Sequence, residues 1–142
     1  MWVRWLFSSA LLFAIGCGEG RLAPVSGKVT LNGQPLVGAT VGFEPLVERQ
    51  GIEAPLSSTG KTNDKGEYTL ETLKGQKGAL VGLHKVAISL LQAQVGEGDA
   101  RPPRSGWPVK DKVPARYNAK SELKIDVPAG GTDKADFDLK AP

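Results

Sequence analysis

From residue 24 onward, apolar residues recur at every second position in short runs, and clusters of Gly, Asn, Asp and Pro separate the runs. That period puts one face of each segment in a core and the other in water, as a half-buried strand requires. Val25, Val29 and Leu31 alternate with polar residues, and Asn32-Gly33 supplies the positive φ angles of a tight hairpin turn. A return strand is predicted from Leu36 to Glu44, with Ala39, Val41 and Phe43 on one face and Gly38 and Gly42 marking a bulge or bend. Residues 57–62 form a third segment. Asn63-Asp64-Lys65-Gly66 then turns the chain, and Glu67 to Leu70 returns with Tyr68 and Leu70 in phase. Residues 82–90 make the longest candidate, where His84, Val86, Ile88 and Leu90 share a face. Near the C-terminus Leu123, Ile125 and Val127 face one way, residues 128–133 turn, and Ala135, Phe137 and Leu139 face back. No window after residue 17 carries the i, i+3, i+4, i+7 pattern of an amphipathic helix. The prediction is all-β: an antiparallel sandwich of about seven short strands, each sheet with one wet face.

The first sixteen residues follow a different pattern. Residues 6–15 are uncharged and mostly apolar behind Arg4. The run is too short for a membrane-spanning helix, which needs about 20 residues, but it suits a signal-peptide apolar region of roughly 7–15. Gly16-Cys17 closes it, and Cys17 is the single cysteine of the chain. This ending resembles a bacterial lipobox, with Ala14 where that signal prefers Leu. The resemblance implies cleavage before Cys17, acylation of its thiol with palmitate-type chains, and three acyl chains in all. One acyl chain holds a membrane only marginally, whereas several, at about 0.8 kcal/mol per buried methylene, hold it durably. The other readings are an ordinary secretory signal cut near Gly16 and an uncleaved anchor. The expected organisation is a signal peptide over 1–16, a lipidated Cys and short tether over 17–23, and one sandwich domain over 24–142. The short tether keeps the domain close to the bilayer surface of a bacterial cell envelope, facing the periplasm or the exterior.

Composition narrows the function classes. Removing residues 1–16 from the 142-residue chain leaves 126, enough to bury one core without disulfides. The precursor carries a formal charge of +3, and loss of Arg4 takes it to +2. So weak a balance gives no reason to expect nucleic acid as a partner.

The residues from Val25 to Val41 resemble the opening block of carboxypeptidase regulatory-like domains, G-x-V-x-x-x-G-x-P-L-x-G-A-x-V, beginning at Gly27. Residues Thr62 to Leu70 resemble the second block, T-D-x-x-G-x-Y-x-L, with one inserted residue. Val81 to Val86 resembles a third, with His84 where the family has an aromatic. Val113 to Asn118 is similar to a segment of bacterial lipoproteins built on this domain. The resemblance implies a prealbumin-like sandwich serving as a structural or interaction module, with no cofactor and with an envelope protein or glycan as possible partner.

Chemistry is sparse. A serine or cysteine hydrolase needs a base, and His84 is the single histidine, in phase with core positions. No catalytic residue is therefore assigned. One histidine and a lipid-committed cysteine do not make a zinc site. Asn63 to Glu67 and Asp133 to Asp138 offer oxygen ligands, but Lys65 and Lys134 interrupt them and neither has calcium-loop spacing, so no metal is expected. Hydroxyisourate hydrolases share the prealbumin-like sandwich but use several histidines and a C-terminal tyrosine motif, both missing here. The internal Lys–Asn amide of related adhesins would need an Asn on the last strand, which has none to pair with Lys28.

The longest connection, from Gln92 to Lys120, is the strongest candidate for ligand contact. Between Arg101 and Lys120 six basic residues stand against Asp111 alone, with four prolines among them. Arg101, Arg104, Trp107, Lys110, Arg116 and Tyr117 would contact an anionic envelope polymer or stack on a sugar ring. The competing reading is a proline-stiffened loop folded over the end of the sandwich, with Trp107 and Tyr117 packed against it.

Overall fold

A computed structural model describes residues 21–46, 56–93 and 109–142. Cys17, Arg101, Arg104 and Trp107 lie outside the described residues. Within them the chain is mostly strand, with several antiparallel sheets and almost no helix, an arrangement consistent with an all-β sandwich. The strand segments are β1 (Leu22–Ala23), β2 (Ser26–Leu31), β3 (Gln34–Pro35), β4 (Thr40–Pro45), β5 (Ser58–Lys61), β6 (Glu67–Thr69) and β7 (Glu71–Thr72). They continue with β8 (Ala79–Leu80), β9 (Gly82–Ser89), β10 (Leu91–Ala93), β11 (Val109–Asp111), β12 (Lys124–Val127) and β13 (Phe137–Leu139). The only helical element among the described residues is a 3-10 turn over Ala115–Tyr117.

One sheet has the order β12-β9-β4-β5-β7, and β2 centres the second, flanked by β13 on one edge and by β3 and β6 on the other. Their inner faces share one core. Val29 of β2, Tyr68 of β6 and Leu139 of β13 join Val41 and Phe43 of β4 and Val86 and Ile88 of β9 in one buried cluster. The Phe43 and Phe137 rings meet edge-on across the two sheets, 6.3 Å between centroids. Each such large apolar side chain contributes about 1.5–3 kcal/mol on burial, which is how a domain without disulfides holds together.

Local chemistry explains the segments. Asn32 and Gly33 both take positive φ, 51° and 81°, so this turn has the twist that a two-residue hairpin needs. Gly27 permits a close approach: a Cβ there would lie 2.0 Å from the Ala135 carbonyl oxygen. The buried Tyr68 hydroxyl donates to that same carbonyl at 2.6 Å, tying β6 to the residues that lead into β13.

Several expected pairings differ. After the Asn32-Gly33 turn only Gln34–Pro35 pairs back on β2; the chain then crosses, and β4 joins the other sheet between β5 and β9. Pro35 has no N–H with which to extend the ladder. The segment after Gly66 pairs with β2 through β6, and β7 pairs with β5. Leu123 to Leu139 is not a hairpin: β12 pairs with β9, whereas β13 pairs with β2 in parallel. The expected wholly antiparallel pairing is thus corrected at β13. Alternation reports which face a residue occupies, and a strand keeps that face whether its neighbour is a hairpin partner or a distant segment. Leu22 and Ala23, placed in the tether by sequence, form β1 and pair with β8. The connection read as a loop from Gln92 to Lys120 is zipped at its base, where β10 and β11 pair antiparallel.

Candidate functional site

The described part of the basic segment is organised by its one acid. Asp111, at the end of β11, accepts hydrogen bonds through Oδ1 from the Leu90 amide at 2.9 Å and the Val113 amide at 2.8 Å. Its Oδ2 accepts from the Asn118 side-chain amide at 2.9 Å, and Asn118 also donates to the Val113 carbonyl at 3.1 Å. One carboxylate therefore binds the end of β9, the start of the loop and the end of the 3-10 turn. Val113 is buried beneath it.

Arg116 and Tyr117 face the C-terminal strand. The Arg116 guanidinium lies over the Tyr117 ring, 4.8 Å from its centroid, and donates to the Lys140 carbonyl. The Tyr117 hydroxyl accepts from the Lys140 amide at 3.1 Å. The pair holds both backbone polar groups of one residue just beyond β13, and the half-buried Tyr117 ring packs on the core. Arg116 covers one face of the Tyr117 ring, and a sugar stacking on that face would have to displace it. Lys110 lies in β11 opposite Gln92. Of the six proposed contact residues, then, the structure brings Arg116 and Tyr117 together with Lys140 as their shared partner; Arg101, Arg104 and Trp107 fall outside the described residues. Asp111 stands outside the six contact candidates, and its sequence signal is its place as the lone acid in a basic run.

His84 is 1% exposed on the inner face of β9. Its Nδ1 lies 2.9 Å from the Gly82 carbonyl, which assigns the proton to Nδ1, and its ring tilts against Phe43 at 5.7 Å. Nε2 has no hydrogen-bond partner among the described residues, and neither does the buried Ser58 Oγ. Phe43 lies opposite Ser58 in register and packs on the His84 ring. Burial holds the imidazole below its ordinary pKa, a shift that the Gly82 carbonyl and the Asp126 charge partly offset. The arrangement is a neutral core imidazole whose Nε2 meets no hydroxyl among the described residues.

The remaining polar clusters serve the backbone. Asn63 Oδ1 accepts from the Lys65 and Glu67 amides, closing its own turn. Asp136 accepts from the Lys28 amide at 2.8 Å and Asp138 from the Thr30 hydroxyl at 2.9 Å, stitching β13 to β2. Among the described residues no group of three or more His, Cys, Asp or Glu side chains is placed to hold a metal ion. The outer face of the five-stranded sheet has a shallow groove of about 260 Å³ above Gly42 and Ala87, bordered by Glu44, Thr59, Lys85 and Asn118. Phe43, Ser57 and Ser58 complete its lining. No protein-family model, curated protein or solved structure matches this chain.

Proposed function

We propose that this chain is a lipid-anchored protein of the bacterial cell envelope, acylated at Cys17, whose β domain works without catalysis as a structural or interaction module. The observation that carries the proposal is Gly16-Cys17, which closes an uncharged apolar run and holds the only thiol in the sequence. A prealbumin-like sandwich of seven main strands is part of the proposal. It draws support from where the motif-like residues fall: Asn32-Gly33 in a tight turn, and Val29, Leu36, Ala39, Val41, Tyr68 and Leu70 buried. The non-catalytic reading draws support from His84, buried in the core with no hydroxyl bonded to its Nε2 among the described residues, and from Arg116 and Tyr117, engaged with Lys140 just beyond the last strand.

Growth of a bacterial host expressing the chain with labelled fatty acid tests the anchor. Label is expected on the wild-type protein and none on Cys17→Ala, with the wild type recovered in the membrane fraction. Label on Cys17→Ala, or its absence from the wild type, would refute lipidation at this residue.

A further inference from the structure

Given acylation at Cys17, the reach of the chain selects which surface of the domain meets the lipid. Four residue steps separate Cys17 from Arg21, a span of at most about 14 Å even fully extended. Arg21 is already part of the fold: its carbonyl accepts from the Val81 amide at 2.9 Å, and β1, which follows it, pairs with β8. Two residues beyond Val81, past a bend at which Gly82 takes a φ of 124°, comes Leu83, at most about 7 Å further on. The Leu83 carbonyl accepts from the Leu46 amide at 2.9 Å, so the two leucines lie side by side where β9 begins and β4 ends. Both side chains are open to solvent, Leu46 at 41% and Leu83 at 44%. Asp126 lies opposite Leu83 on β12, and the next row back holds Glu44, Lys85 and Lys124, two cations to one acid.

We infer that the Leu46–Leu83 end of the five-stranded sheet is a membrane-contact face, held on the lipid headgroups by the acylated Cys17. This inference rests on the lipidation proposed above and adds the orientation of the domain. Leu73, 84% exposed just past β7, stands at this same end of the sheet, two strands from Leu46. Val37 and Leu91 flank Thr40 and Ser89, which pair with each other at the opposite end of the sheet, beyond the tether's reach. The same orientation roots the β10–β11 ribbon away from the lipid, so the basic connection springs from the membrane-distal end.

The mature acylated chain, reconstituted in phosphatidylcholine vesicles with a minor fraction of phosphatidylglycerol, provides the test. An environment-sensitive fluorophore is attached at Leu83→Cys, at Leu46→Cys or at Val37→Cys, and headgroup-level spin-labelled lipid serves as quencher. The fluorophores at 83 and 46 are expected to shift to the blue and lose most of their emission to the quencher, while that at 37 keeps its aqueous spectrum. Two leucine positions are used so that a folding defect in one leaves the other to decide. Vesicles that carry the protein while positions 83 and 46 stay aqueous, or while 37 is quenched equally, overturn the docking face and leave the anchor standing. Protein that fails to float with the vesicles overturns the anchor, and the docking face falls with it.

Discussion

His84 shows how one buried residue couples stability to pH. Its imidazole is held neutral by burial, so its folded-state pKa lies below the unfolded value near 6.5. Between those two values the unfolded chain binds the extra proton, and stability rises with pH. The stabilisation is complete above about pH 6.5 and is lost as pH falls below it towards the folded-state value. Urea titrations from pH 7.5 to 5 should therefore show falling stability in the wild type and a shallower fall in His84→Phe, which keeps an aromatic against Phe43. Parallel curves for the two proteins would mean that His84 is protonated without cost in the folded state. The in-phase position of His84 with Val86 and Ile88 was legible in the sequence. That its Nε2 makes no bond to the Ser58 hydroxyl was not, because both residues alternate inward and only the sheet order sets Phe43 opposite Ser58 and against the His84 ring.

Elements were legible as faces and much less so as partners. Ala39, Val41 and Phe43 are all buried as the alternation requires, and residues 82–90 do contain the longest strand. The pairings of β4, β6 and β13 depend on segments tens of residues away, which no local window contains. The basic connection marks the same boundary at its base. Six cations suggested a ligand surface, but the single acid determines the local structure, since Asp111 collects three hydrogen bonds from three parts of the chain. Replacing Asp111 with Ala leaves two backbone amides and the Asn118 side-chain amide without that acceptor and should cost about 2–4 kcal/mol by urea unfolding. Asp111→Asn, which retains an acceptor oxygen, should lose less than half as much. An Asp111→Ala protein as stable as the wild type would show that the clamp contributes nothing.

At the scale of the whole molecule, stability has to come from the shared core of two sheets, because one cysteine cannot form an intramolecular disulfide. Thermal unfolding should accordingly give the same midpoint with and without dithiothreitol; a drop under reductant would reveal an intermolecular Cys17 disulfide and so an unacylated thiol. By itself the sequence determined the all-β class, the faces of the strands, the Asn32-Gly33 turn and the expectation of an anchor at Cys17. These are properties of spacing, φ preference and short-range composition, which a local stretch of chain carries whole. Tertiary structure alone decided that β13 runs parallel to β2, that Arg116 and Tyr117 hold Lys140, and that Leu46 and Leu83 meet beside Arg21. Each of these joins residues far apart in the chain, and their proximity follows from which strands share an edge once the apolar faces have closed on one core.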